Sequence, residues 1–319
     1  MNFLKANMEI FLYLLLFALF TTILVKSADI LVDSAEIIGL KLKLPYFFIG
    51  SVLIGFGTSL PELATSISAV LKGFYEIPVS NVVGSNITNL LVIIGLSALI
   101  FSIKIKRNLI KSEIPFLILS SLLIFFFFLN KQITFFESLI FLISFFSYIA
   151  YVYKEGQKQN FKEKIRCKCF IEVLKFFVSL IFLSISSKYV IEYLVKLSEL
   201  LLISIEALTA ILLALGTSLP ELVTSFTILI KRKEQDMIVG NVIGSNIMNA
   251  FLVLGLSSLI AKNKIIISDL LFDLSLFLIL ITFLFAFIII EKRIEREEGL
   301  ILLILYLFYL AYLLFPDLV

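Results

Sequence analysis

Residues 57–63 read Gly-Thr-Ser-Leu-Pro-Glu-Leu, and residues 216–222 read the same. About twenty residues on, Asn81-Val-Val-Gly-Ser-Asn-Ile-Thr-Asn89 answers Asn241-Val-Ile-Gly-Ser-Asn-Ile-Met-Asn249, and Gly95-Leu-Ser97 answers Gly255-Leu-Ser257. The offset is 159 residues at Glu62/Glu221 and 160 at Asn89/Asn249, so one residue was gained between the two phrases. Two matches in the same order indicate duplication of about half the chain. Internal repeats of that size are a common construction of membrane transporters.

The sequence between the phrases is apolar. The chain of 319 residues is 61% hydrophobic, with a mean hydropathy of +1.10, against roughly 45–50% apolar residues in soluble domains. Runs such as 114–129 and 270–290 approach the ~20 residues a helix needs to cross the hydrocarbon layer. Alternating ten-residue segments of a β-barrel are absent. The expected fold is therefore an all-α membrane protein of ten transmembrane helices, in two inverted five-helix repeats with helices 2 and 7 broken. The helices are expected at about 8–33, 44–72, 79–101, 112–129, 133–153, 169–197, 204–231, 237–260, 269–290 and 299–315. The repeats would cover 1–153 and 169–319, joined by a polar linker at 154–168. No cleavable signal peptide is expected, because residues 10–25 lead into a first membrane helix with no small-residue cleavage site.

Lysine and arginine set the orientation. With the N-terminus outside, cytoplasmic loops hold eighteen of these residues and outer loops six, as the positive-inside rule requires. Both termini are then extracellular and 154–168 is cytoplasmic. Five helices per half send the second half through the membrane in the opposite sense. A multi-pass protein of the plasma membrane follows, working as a monomer in the bilayer, with no nucleic-acid partner. The chain has no histidine and no tryptophan, which removes the usual zinc, haem and Ser-His-Asp chemistries. Cys167 and Cys169 read as reduced cysteines at a cytosolic helix start. No cofactor and no enzymatic activity are expected.

Glu62 and Glu221 fall in the middle of apolar helices. A carboxylate at the bilayer centre costs roughly 2.5–3.5 kcal/mol on insertion scales, and neither has a lysine or arginine within one turn. Antiparallel helices 2 and 7 crossing at the midplane would bring the two together, and a bound cation would relieve their repulsion. Pro61 and Pro220 lack an N–H, so the carbonyls of Gly57 and Gly216 lose their i+4 partners. Free backbone oxygen at that depth is tolerated where it lines a cavity or an ion site. Thr58, Ser59 and Ser66 accompany Glu62, and Thr217, Ser218 and Ser225 accompany Glu221. On helices 3 and 8, Asn81, Ser85 and Asn89 form a stripe at i, i+4 and i+8, mirrored by Asn241, Ser245 and Asn249. For Asn81, Asn86, Asn241 and Asn246, interhelical hydrogen bonding is an equal reading. Gly84, Gly95, Gly244 and Gly255 read as points of close helix contact. Asp29, Asp33 and Glu36 share a face of helix 1 and read as a solvated helix end.

Carboxylate, hydroxyl, amide and backbone oxygen are the ligands of hard cations, and many flexible oxygens suit Ca2+ and Na+ better than Mg2+. Two carboxylates balance one Ca2+ or two Na+. The same oxygens hold one load or the other, so the ions compete, which is the requirement for exchange.

In these two phrases the chain resembles the calcium/cation antiporter superfamily, specifically its prokaryotic sodium/calcium exchangers. The motifs are similar to that superfamily's two α-repeats. The resemblance implies an antiporter that extrudes Ca2+ using inward Na+ by alternating access, with helices 1 and 6 sliding against the core. It implies Glu62 and Glu221 as central metal ligands shared by both ions. Hydroxyl or carbonyl oxygens would come from Thr58, Ser59, Thr217 and Ser218, and carbonyls from Gly55 and Ala214. Ser85 and Ser245 would serve flanking Na+ sites. Members often carry one Asp at the pair occupied here by Asn89 and Asn249. Both are amides in this chain, so a third Na+ would have no fixed counter-charge, and K+ at an added acidic site is disfavoured. Two rival readings are an H+/Ca2+ (or other divalent cation) exchanger of the same fold and a cation channel. Channels usually build their filters by symmetry between subunits, whereas the inverted repeat here lies within one chain.

Overall fold

The computed structural model describes residues 2–105, 113–157, 169–200, 218–232, 235–262, 265–290 and 293–314. These are helical almost throughout. In chain order the helices are α1 (Asn2–Lys41), α2 (Tyr46–Leu71), α3 (Ile77–Ile100), α4 (Ile114–Phe128), α5 (Phe135–Gln157), α6 (Cys169–Leu200), α7 (Leu219–Thr227, continued by a π-turn at Ile228–Arg232), α8 (Gln235–Ala261), α9 (Asp269–Ile290) and α10 (Arg296–Leu314). Among the described residues, seven helices are long and apolar enough to cross a membrane, and the chain is a multi-pass membrane protein. α4, at 15 residues, rises about 22 Å at 1.5 Å per residue and falls short of the ~30 Å core.

Several expected boundaries are corrected. α1 runs past residue 33 to Lys41, because nothing in 26–38 breaks a helix and its charges find partners. Asp29 forms an ion pair with Lys231 at the end of α7, so it is not simply a solvated helix end. The chain turns at Lys43, which adopts a left-handed backbone (φ 60°), two residues before Pro45. α5 continues to Gln157 and takes up the start of the expected linker; 158–168 lie outside the described residues. So does the first part of the expected helix 7, through residue 217.

α2 is interrupted rather than cut. It passes through a π-turn at Ile49–Ile54, resumes as α-helix over Gly55–Thr58, loosens to a single turn residue at Ser59, and continues as α-helix from Leu60 with Pro61 in its first turn. Ser59 N–H still reaches Gly55 O (3.1 Å) and Leu63 N–H reaches Ser59 O (3.1 Å). The described part of α7 starts from Ser218 (φ −87°, ψ 7°) into Leu219-Pro220, much as the second segment of α2 starts from Ser59 (φ −81°, ψ −2°).

The two halves interlock with reciprocal contacts. β1 (Ile103–Lys104), after α3, pairs antiparallel with β2 (Arg293–Ile294), before α10. The mirrored contact is the bridge between Ile266, after α8, and Gln132, before α5. Gly95 of α3 lies against Gly299 and Leu303 of α10, and its repeat mate Gly255 of α8 lies against Phe141 and Leu142 of α5. Each repeat thus packs its fifth helix on the other repeat's third. Contacts that recur with the partners exchanged are the mark of two-fold symmetry.

α3 and α8 form the centre, with almost every residue of α8 from Asp236 to Val253 buried. Gly50 lies against the Met237 backbone, Gly240 against Phe47 and Ser51, and Gly244 against Ser51, so α2 and α8 meet backbone to backbone. The expectation of close contact holds for Gly95, Gly244 and Gly255. At Gly84 an added Cβ would meet the Tyr309 hydroxyl at an ordinary 3.5 Å. α1 and α6 pack mainly on each other, with Phe20 stacked on Tyr189 (4.5 Å between ring centres), and lie at the periphery of this core.

Candidate functional site

The repeated phrases meet inside the core. Pro61 and Pro220 stand beside Glu62 and Glu221 in the first turn of the helical segments Leu60–Leu71 and Leu219–Thr227, where the helix dipole favours an anion by ~0.3–1 kcal/mol. Both glutamates are fully buried. They lie within electrostatic reach of each other, and the Thr58 hydroxyl faces Glu221. Among the described residues none of the four carboxylate oxygens has a hydrogen-bond partner. A buried charge without partners costs many kcal/mol, so this arrangement is stable when something cationic lies between the two groups.

The other oxygens gather around this pair. From α2, Gly55 O and Thr58 Oγ1 meet Ser245 and Asn241 of α8: Ser245 Oγ donates to Gly55 O (3.4 Å), and Thr58 Oγ1 lies 3.3 Å from Ser245 Oγ and 3.5 Å from Asn241 Oδ1. Ser59 and Ser218 are buried, and each hydroxyl lacks a partner among the described residues. Ser85 is buried on α3. Ala214, Gly216 and Thr217 lie outside the described residues. No cluster of three or more acidic or thiol side chains occurs among the described residues, so the remaining donors are hydroxyl, amide and carbonyl oxygens.

The asparagines make two reciprocal sets. Asn81 Nδ2 donates to Glu62 O (3.1 Å) and Ser66 Oγ (3.0 Å), while Asn241 Nδ2 donates to Glu221 O (3.5 Å) and Ser225 Oγ (2.9 Å). Each ties its glutamate's backbone to the neighbouring helix. At the centre, Asn86 Nδ2 donates to Asn246 O (3.0 Å) and Asn246 Nδ2 to Asn86 O (3.1 Å). Asn89 Nδ2 donates to Asn246 Oδ1 (2.9 Å), and Asn249 Nδ2 to Asn86 Oδ1 (3.1 Å). With their NH2 groups spent, Asn89 and Asn249 hold buried Oδ1 atoms without partners among the described residues. Both residues also begin π-turns, at Asn89–Ile93 and Asn249–Leu254, a distortion frequent at functional sites.

Asn86 and Asn246 are where the sequence reading left two uses equal. The structure shows the hydrogen bonding across helices, and shows that it orients Asn89 and Asn249. Replacing Asn86 or Asn246 by alanine strands a buried amide and frees a side chain, at ~1–3 kcal/mol. We expect cation affinity, measured by calorimetry, to fall about five- to 150-fold on that scale. Loss of thermal stability at unchanged affinity would reduce these residues to packing.

The chain matches the family described as "Sodium/calcium exchanger protein" over residues 12–154 and 171–315. It is 31% identical to the sodium/calcium exchanger MaX1 of Methanosarcina acetivorans, over 96% of this chain and 98% of that protein. It is also 31% identical to the putative antiporter CaxA of Alkalimonas amylolytica, over 92% of this chain and 96% of that one. Among solved structures it is similar to the sodium-calcium exchanger NCX_Mj soaked with Na+ and Sr2+, with a TM-score of 0.80 at 27% identity over 95% of this chain and 99% of that one.

Proposed function

Since the chain belongs to the sodium/calcium exchanger family, we propose that it is a secondary antiporter that exchanges Na+ for Ca2+ at a site centred on Glu62 and Glu221. The observation that carries this reading is the pair of fully buried carboxylates, one from each repeat, whose oxygens have no described partner. Around them stand oxygen atoms and no nitrogen base or thiolate, a ligand set for hard cations. Ca2+ neutralises both carboxylates at once; two Na+ do the same. Ca2+ then takes the central position with Glu62, Glu221, Thr58 and the Gly55 carbonyl, joined by Thr217 and the Ala214 carbonyl. Na+ takes the flanking positions at Ser85 and Ser245, and Ser59, Ser218 and the Oδ1 atoms of Asn89 and Asn249 complete the sets.

With amides at both 89 and 249, two Na+ per Ca2+ is the load that the fixed charge balances, and transport on that ratio moves no net charge. Access alternates as the peripheral α1–α6 pair slides over the core. Leu180 of α6 is the point of contact to watch: it packs against Gly57, where a Cβ would stand 2.7 Å from Leu180 Cδ2, one residue from Thr58. In this reading both termini are extracellular, 154–168 is cytoplasmic, the repeats occupy 1–153 and 169–319, and one chain in the plasma membrane suffices.

The test is uptake of radiolabelled Ca2+ into Na+-loaded proteoliposomes at fixed pH. Uptake should require an outward Na+ gradient, collapse when Na+ is equal on both sides, and be indifferent to an imposed membrane potential. Uptake driven by a pH gradient and indifferent to Na+ would replace this reading with a proton exchanger.

A further inference from the structure

α9 and α10 lie side by side and antiparallel, with Asp273 against Tyr312 at one end and Phe277 against Tyr309 further in. The Phe277 and Tyr309 rings are parallel, 5.9 Å between centres and 6° between planes. Along them runs a groove of about 430 Å3, within the ~300–1,000 Å3 of ordinary small-molecule sites. The buried Tyr309 belongs to its floor, and Leu276, Leu280 and Phe308 line its exposed sides. α9 is long and apolar enough to cross a membrane, so this side of the groove opens onto hydrocarbon rather than water.

Lipid tails are as apolar as leucine, so a tail gains no hydrophobic energy by leaving bulk lipid for this groove. Any choice among lipids comes from the polar end. Asp273 stands one turn into α9, and Tyr312 in the last turn of α10, the level at which amphipathic tyrosines meet headgroups. Tyr312 Oη donates to Asp273 Oδ2 (2.9 Å), which fixes the carboxylate and leaves its second oxygen to accept from another donor. One turn nearer the start of α9, Asp269 is paired with Lys131. Asp273 forms no such pair with a described lysine or arginine. A carboxylate at the mouth repels a headgroup whose only charge is phosphate. A quaternary ammonium brings the right charge but no N–H. A primary ammonium brings both, and a charge-assisted hydrogen bond is the strong kind.

We propose that the α9–α10 groove binds one phospholipid with a primary ammonium headgroup, its ammonium on Asp273 and one acyl chain along Leu276, Leu280 and Phe308. From Asp273 to Leu280 is ~10 Å of helix, which takes the first part of a tail. The rest continues over Phe283 and Phe287, which are exposed and extend the face of Leu276 and Leu280 at helical spacing. A second copy of this chain is the poorer occupant. A two-fold contact centred on the groove brings each Asp273 towards its own copy, and like charges oppose it.

The direct test is native mass spectrometry of the purified full chain, titrated with phosphatidylethanolamine, phosphatidylcholine and phosphatidylglycerol of identical acyl chains. The wild type should retain one phosphatidylethanolamine about tenfold more tightly than either other lipid, the size of one charge-assisted hydrogen bond in a half-wet site. D273N should erase that preference, D273E should restore it, and Y312F should weaken it by releasing the carboxylate. A311F narrows the groove from its exposed rim and should lower retention of phosphatidylethanolamine with the charge at the mouth unchanged. The same preference in wild type and D273N would overturn the proposal, and so would retention that A311F leaves untouched. A dimer that D273N strengthens, with no preference among the lipids, would give the groove to a second copy and overturn it as well. None of these readouts depends on which ions the exchange site carries, so this test can fail while the transport assignment stands, and the reverse.

Discussion

E62Q and E221Q should each abolish Na+-driven Ca2+ uptake while leaving the protein folded. Glutamine keeps the size and one oxygen but removes half the charge that balances Ca2+. Truncating one member of a buried charge cluster costs ~2–5 kcal/mol or more, which is a loss of about thirty- to several-thousandfold in affinity. Na+ should suffer less, because the remaining carboxylate still balances one monovalent ion. The expected pattern in calorimetry is therefore loss of Ca2+ binding with weak Na+ binding retained. Folding should survive, since replacing a buried carboxylate by a neutral group removes a desolvation cost; a thermal midpoint equal to or above the wild type in ion-free buffer is the control. Wild-type uptake in both variants would remove the two glutamates from the site.

The repeated phrases made the centre of the molecule legible in advance, because motifs that place acid, proline and hydroxyl in apolar helices have few physical uses. The expectation that Glu62, Glu221, Thr58, Ser245 and the asparagines share one buried region came from the duplication together with helical spacing and the family resemblance. The surroundings were less legible. In α9 almost every residue is apolar, so no polar face separates the side toward protein from the side toward lipid; Leu278 is 1% exposed and Leu280 59%, and nothing in the sequence distinguishes them. The end of α1 was misplaced because Asp29, Asp33 and Glu36 look like the edge of a membrane, whereas the ion pair to Lys231 belongs to tertiary structure. Glu113 falls at the start of the helix expected at 112–129, just after the Lys104–Lys111 cluster, and nothing in the sequence marks it as fully buried. The strand pairing of β1 with β2 joins segments of two residues, too short to leave a pattern.

Among the described glycines, Gly244→Ala should be the most damaging single methyl. A Cβ at this position would stand 2.5 Å from Ser51 Cα and closer still to the Ser51 carbonyl oxygen. The obstacle is backbone, so no rotamer change relieves it, and α2 and α8 must separate. Overpacking of a tight core costs ~1–3 kcal/mol and at times more; with backbone on both sides we expect the upper end. The separation also pulls Gly55 O and Thr58 Oγ1 away from Ser245 and Asn241, contacts already at 3.3–3.5 Å, so ion affinity should fall along with stability. Gly84→Ala is the matched control, because the same methyl on α3 meets only the Tyr309 hydroxyl at 3.5 Å. The thermal midpoint of purified Gly244→Ala should drop by several degrees and Ca2+ should no longer raise it, while Gly84→Ala should match the wild type in both respects. Equal behaviour of the two variants would mean that α2 and α8 are not held at backbone contact, and that their spacing does not set the geometry of the exchange site.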